Sequence, residues 1–175
     1  CARRAVAGSF AHIQCADGIP MRRPLSIMRV DRARGEVDFL YKIVGMGLAA
    51  LSKAAVGDML SILGPIGNGF TPHADKPVKL MIGGGVGIPP MVFLAEQLHL
   101  SGADLHESLV LMGSEVPFPF QVVSSGITAA DIPEAVSAGM PDLEALGVAS
   151  RLASLQGYAG CYKGYVTDLA RLWLQ

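Results

Sequence analysis

Residues 81 to 98 read MIGGGVGIPPMVFLAEQL, with glycine at four of the five positions from 83 to 87. A short apolar run precedes the glycines, and Met91, Leu94, Ala95 and Leu98 recur after them at helical spacing. Few backbones satisfy this pattern, because a buried strand has to turn sharply into a helix. Two readings follow. The glycines serve either a tight turn or a cradle for phosphate, since a bare backbone admits close approach and the helix's first turn offers free N–H groups with a partial positive charge. The spacing departs from the usual dinucleotide fingerprint: counted from Gly83 and Gly85, the third glycine is replaced by Ile88, and counted from Gly85 it is replaced by Pro90. On the loop alone both readings stand.

The chain on either side follows two different patterns. Residues 1 to about 72 alternate like half-buried strands in SFAHIQC, PLSIMRV and VDFLYKIV, separated by the turn-rich ADGIPMRR and DRARGE. MGLAALSKAAVGD then reads as a short helix closed by a turn, and MLSILGPIGNGF as a strand ending in a glycine-rich loop. From about 76 the pattern becomes βαβ: the strand VKLMIG, a helix from about 89 to 101, and a second buried strand SLVLMGS. TPHADKP is the natural linker. The predicted fold is therefore an antiparallel β barrel over 1–75 followed by an α/β domain with a parallel sheet over 76–175. Residues 115–160 are less legible. EVPFPFQVV fits a strand or an extended arm, and SAGMPDLEALGVASRLAS mixes turns with brief helical pieces. The final GCYKGYVTDLARLWLQ reads as a glycine turn and a helix with Thr167 or Asp168 as N-cap.

Bulk properties narrow the function classes. With 51% hydrophobic and 17% charged residues the chain forms a core, and a net charge of -1 gives no electrostatic argument for nucleic acid or an anionic membrane surface. No apolar run approaches the roughly 20 residues of a membrane span, so a soluble, cytoplasmic chain is expected. Cys1, Cys15 and Cys161 are too few and too far apart for a zinc or four-thiolate iron–sulfur site, and His12, His73, His99 and His106 lack metal-ligand spacing. No metal site is expected.

Five motifs occur in one order: RRPLSI (22–27), YKIVGMG (41–47), GPIGNGF (64–70), GGGVGIPP (83–90) and GYVTDL (164–169). In this the chain resembles the ferredoxin-reductase-type flavoproteins, and within them the electron-transfer subunits of dihydroorotate dehydrogenases. The resemblance implies FAD on the barrel and a nicotinamide nucleotide on the α/β domain, with the loop at 83–90 serving the latter. It implies that Arg23 pairs with the FAD pyrophosphate and that Pro24 and Leu25 carry the strand to Ser26, the catalytic position beside flavin N5. Tyr41, Lys42 and Ile43 would lie along the isoalloxazine and ribityl chain, with Gly47 and Leu48 at a flavin phosphate. The family has a threonine where Leu48 stands, which leaves backbone N–H groups to hold the phosphate. Gly84, Gly85, Gly87, Ile88 and Pro89 would receive the nicotinamide nucleotide. Glu115 would accept hydrogen bonds from the adenosine ribose hydroxyls and favour NADH over NADPH.

The implied activity is that of an NAD(P)H-dependent flavin oxidoreductase, passing electrons through FAD to an iron–sulfur centre or protein acceptor. The implied partner is an electron-accepting protein or a catalytic dehydrogenase subunit of pyrimidine biosynthesis, in a homo- or hetero-oligomer. The family's Cys-Gly-Pro segment and its cysteine cluster for a [2Fe-2S] centre have no counterpart in these 175 residues. The chain is accordingly expected to continue past both ends, with a first barrel strand before Cys1 and more of the α/β domain after Gln175. Leu48, the missing cysteines and the 115–160 insert define the alternative, a flavin-free fold-mate acting as a binding or regulatory module.

Overall fold

A computed structural model describes residues 1–175. The first half is a four-stranded antiparallel sheet of β1 (Phe10–Ile13), β2 (Arg23–Asp31), β3 (Glu36–Phe39) and β4 (Ile62–Ile66), in the order β3-β2-β1-β4. A short helix, α1 (Gly45–Leu51), crosses between β3 and β4. In the second half β5 (Leu80–Gly84), β6 (Leu109–Gly113) and β9 (Ala149–Ala153) form a parallel sheet in the order β5-β6-β9. Helix α2 (Ile88–Leu100) makes the crossover from β5 to β6. Between β6 and β9 lie a two-stranded ribbon, β7 (Val123–Ser124) with β8 (Ala138–Gly139), and α3 (Pro141–Ala145). Helix α4 (Val166–Trp173) follows β9. The architecture is the predicted one, an antiparallel β half followed by an α/β half.

Local chemistry explains the boundaries. Helix α2 starts where Pro89 and Pro90 supply preset backbone angles and lack N–H groups that the first turn would leave unpaired anyway. It ends where the Ser101 hydroxyl donates to the Leu98 carbonyl at 2.7 Å and Gly102 takes a left-handed φ of 79°. The expected strand VDFLYKIV stops at Phe39, after a register shift opposite Ile27 and Arg29, so Leu40 to Val44 leave the sheet. The EVPFPFQVV arm forms no strand before Val123, since Pro117 and Pro119 have no ladder donors. Helix α4 begins two or three residues earlier than expected, with Tyr165 as N-cap in place of Thr167 or Asp168 and no side-chain cap.

Within SAGMPDLEALGVASRLAS, the segment 149–153 is a fully buried strand of the parallel sheet rather than a turn or helical piece. Most of its polar groups are paired inside: Ser150 Oγ accepts from Met140 N at 2.9 Å, and the terminal nitrogens of Arg151 donate to the Ser150 and Ile127 carbonyls, while Arg151 Nε is buried without a partner. Burial lowers the Arg151 pKa, with nearby Glu144 acting in the opposite sense. Glu144 in turn accepts from Ser125 Oγ at 2.6 Å and Gly126 N at 3.1 Å, which pins the ribbon of the insert beside β9.

The main core lies between α2 and one face of the parallel sheet, around Val92, Phe93, Val110, Met112 and Leu152. It extends into the antiparallel half through Ala5, Ala7 and Ile27. The opposite face packs Leu109, Leu111, Ala149 and Ala153 under Leu169 and Ala170 of α4. Ile13, Cys15, Leu25 and Leu51 form a third, smaller core within the antiparallel half. No helix is long and apolar enough to cross a membrane.

Candidate functional site

Two adjoining clefts open where the carboxyl ends of β5 and β6 meet the segment leaving β3. One, of ≈ 140 Å³, is lined by Leu40, Tyr41 and Lys42 on one side, by Gly85, Val86, Ile88 and Ser114 on another, and by Val116, Pro117 and Pro119. The second, of ≈ 330 Å³, is lined by Lys42, Gly84, Gly85, Gly113, Glu115, Ala153 and the start of α4 at Tyr165 and Val166, among others. Lys42, Gly85, Ser114 and Val116 border both. Crevices outside the carboxyl ends of parallel strands are where open α/β sheets bind ligands, and the combined size suits an extended nucleotide.

The glycines of the loop divide into two kinds. A Cβ at Gly83 would lie 2.4 Å from the Gly87 carbonyl oxygen, and one at Gly113 would lie 3.0 Å from Val166, so the protein's own packing demands glycine at both. At Gly84 and Gly87 a Cβ would meet nothing within 4 Å, and their φ angles of -116° and -85° suit any residue. Neither packing nor backbone strain accounts for glycine there. A ligand lying directly on the backbone would account for them, and in that respect the loop fits a nucleotide.

Arg23 begins β2 and lays its guanidinium across the start of α1, where a Cβ on Gly47 would sit 3.0 Å from Arg23 Nε. Its contacts are the carbonyls of Met21 at 3.0 Å and Arg22 at 3.5 Å, with no carboxylate. The first turn of α1 has no side-chain cap. A guanidinium fork beside uncapped N–H groups suits a pyrophosphate, and Gly47 leaves the room for it. Leu48 turns instead into the small core with Leu25 and Leu51, so its departure from the family's threonine fills the barrel interior. Ser26 is half-buried, opposite Phe10 across the sheet, and Pro24 is exposed. Leu25 and Pro89 are buried, which leaves only their backbones for a ligand, and Ile43 is exposed outside both clefts.

Glu115 stands at the end of β6 with its carboxylate accepting weakly from Leu155 N at 3.5 Å. Ser114 closes the turn, its hydroxyl donating to the Val116 carbonyl at 2.7 Å. Several lining residues escaped the sequence reading, notably Val116, Pro117, Pro119 and Tyr165. The proline alternation carries the one usable signal: Phe118 and Phe120 pack inward, with Tyr158 at 6.5 Å from the Phe118 ring, which turns the prolines to the cleft. The three cysteines are unpaired and scattered, burial raises the Cys161 pKa, and no cluster of His, Cys, Asp and Glu able to hold a metal is present.

No protein-family model matches the chain. It is 36% identical over 115 residues to the dihydroorotate dehydrogenase B (NAD(+)) electron transfer subunit of Bacillus mycoides (strain KBAB4), a match covering 63% of this chain and 44% of that protein. The matching subunit of Bacillus cereus (strain G9842) gives the same identity and coverage. The chain thus matches less than half the length of these relatives. Among solved structures, an NADH-dependent reduced ferredoxin-NADP oxidoreductase superposes with a TM-score of 0.71 at 20% identity, covering 99% of this chain and 55% of the other. The cytochrome b5 reductase domain of Ulva prolifera nitrate reductase superposes at 0.65 with 18% identity, covering 96% and 69%. The chain therefore has the fold of the ferredoxin-reductase-type flavoproteins and is similar in sequence to the electron-transfer subunits of dihydroorotate dehydrogenase B.

Proposed function

We propose that this chain is the cofactor-binding part of an NADH-dependent flavin oxidoreductase, dividing near residue 75 into a flavin-binding half and a nicotinamide-nucleotide-binding half. One observation carries the reading: Gly84 and Gly87 are glycines that the protein does not itself require, on a loop that shares a cleft with Tyr41 and Lys42. FAD, when bound, supplies the chemistry, accepting a hydride and releasing electrons one at a time. The residues bind, orient and exclude water. Arg23 and the backbone at Gly47 and Leu48 hold the FAD pyrophosphate, Pro24 and Leu25 fix the strand, and Ser26 places a hydrogen-bond donor at the reacting face. Tyr41, Lys42 and Ile43 border the flavin. Gly84, Gly85, Gly87, Ile88 and Pro89 shape the backbone under the nicotinamide nucleotide, and the apolar Val116, Pro117 and Pro119 shield the reacting atoms from water.

Glu115 selects NADH by holding the ribose hydroxyls and opposing a 2′-phosphate. Electrons leave to an iron–sulfur centre or to a catalytic dehydrogenase subunit, the role named for the Bacillus relatives. A [2Fe-2S] centre would need cysteines beyond those of this chain. The test is the absorbance spectrum of the full-length protein purified without added cofactor. A flavin spectrum that bleaches with NADH supports the reading, whereas a colourless protein that takes up no FAD favours a flavin-free binding module.

A further inference from the structure

One wall of the cleft is the segment that leaves β3 and the other is the glycine loop with the ends of the parallel strands, and a set of contacts away from the cleft joins the two halves. Arg29 on β2 donates through Nε to Glu96 Oε1 of α2 at 2.6 Å and through a terminal nitrogen to Asp142 Oδ2 of α3 at 2.8 Å. Asp38, its cross-strand neighbour on β3, brings a third carboxylate close. Beside this fork Ala7 N donates to Gln97 Oε1 at 2.9 Å, and Ala5, Ala7 and Ile27 join the core under α2. None of these residues lines the cleft.

Their place in the chain gives them leverage over it. Arg29 lies three residues beyond Ser26 on one strand, about 10 Å along it. Glu96 lies eight residues beyond Ile88 on one helix, about 12 Å along its axis. One planar guanidinium therefore joins the strand that starts at Arg23, the helix that starts at the glycine loop, and the helix that leads into β9. A lysine at this position reaches one carboxylate but not both in fixed directions.

We propose that Arg29 is a positioning residue that sets the distance between the strand Arg23–Ser26 and the loop Gly83–Ile88, so that the cleft is preformed and not assembled by closure of one half onto the other. The proposal rests on the reading of the cleft as the flavin and nicotinamide site. A fixed distance matters there because a misplacement of about 1 Å between reacting groups lowers a rate by up to about a hundredfold.

Hydrogen exchange on the full-length protein without added nucleotide tests the brace independently of flavin. In Arg29→Ala, amides of 23–27 and of 83–88 should both exchange about tenfold faster or more, while those of β6 and β9 keep their rates. With FAD bound, the same variant should lose about tenfold to a hundredfold in kcat for NADH-driven dye reduction at nearly unchanged KM. Glu96→Gln, which keeps an acceptor for Arg29 Nε, should exchange like the parent. Faster exchange confined to 28–30 and 93–97, where the bonds are lost, overturns the proposal, as does an unchanged kcat. Should Arg29→Ala fail to fold, Arg29→Lys takes its place: faster exchange in both segments at smaller size supports the brace, and parent-like exchange in either segment overturns it. A parent protein that binds no flavin removes the reading of the cleft and leaves the exchange pattern to decide the brace.

Discussion

Arg23 and Arg29 sit six residues apart on one strand and illustrate opposite uses of a guanidinium. Arg23 meets only backbone carbonyls, so most of its donors are free for a ligand. Arg23→Ala should weaken FAD binding about tenfold to a hundredfold, the equivalent of about 1.5–3 kcal/mol for a charge-assisted bond. Flavin occupancy after dialysis measures it. Arg29 is engaged by two carboxylates: burial pulls its pKa down, and the interactions with Asp142 and Glu96 more than restore it. Glu96 is the uncomfortable partner: burial raises its carboxyl above the ordinary value of 4.5, the charge and hydrogen bond of Arg29 lower it, and Asp142 and Asp38 add to the rise, so that it stays raised on balance. Removing the cation and removing the anion therefore have unequal effects. Arg29→Ala should destabilise by about 1–3 kcal/mol, leaving crowded carboxylates unpaired, while Glu96→Gln stays within about 1 kcal/mol of the parent in urea unfolding. A raised folded-state pKa means that the contribution of Glu96 is complete below its unfolded value and lost as pH rises through the folded one. The stability of the parent should accordingly fall relative to Glu96→Gln as pH climbs above the ordinary carboxylate range, read from urea unfolding at a series of pH values. Glu115→Gln should narrow the preference for NADH over NADPH, read from stopped-flow bleaching of the bound flavin, and a preference left untouched would make Glu115 a loop residue without that role.

Among the elements, the turn from β5 into α2 offers the sharpest separation of packing from binding. Gly83→Ala forces a Cβ against the Gly87 carbonyl and should lower the melting temperature clearly, whereas Gly84→Ala should leave melting unchanged and weaken NADH binding. Loss of stability from Gly84→Ala, or binding unaffected by it, would deny that loop a ligand. This turn and its helix were readable from sequence because apolar spacing, glycines and paired prolines all point to one backbone. Strand β9 was not, since Ser150 and Arg151 break its apolar run and the groups that satisfy them, Met140 N and the Ile127 carbonyl, come from distant segments. The same holds for the cleft. Tyr41 and Lys42 stood out through the resemblance of their motif, but the wall formed by Val116, Pro117 and Pro119 depends on Phe118 and Phe120 finding a core that no local pattern encodes.

At the scale of the whole molecule, the halves that differ so plainly in sequence pattern share packing. Ile27 belongs to the antiparallel sheet yet is fully buried in the core under α2. Ile27→Ala should cost about 2–5 kcal/mol and lower both halves in a single calorimetric transition, whereas two separated transitions would mean that they unfold independently. The strand order β5-β6-β9 also leaves β5 with one neighbour only, and on it Ile82 is 39% exposed. A short, uncharged strand with an open row of hydrogen-bonding groups is a template for its own kind. The colloidal behaviour of the 175-residue polypeptide follows from that edge: expressed alone it should associate as its concentration rises, and Ile82→Lys should keep it dispersed in sedimentation velocity, because a charge at the margin of the sheet blocks the approach of a second one.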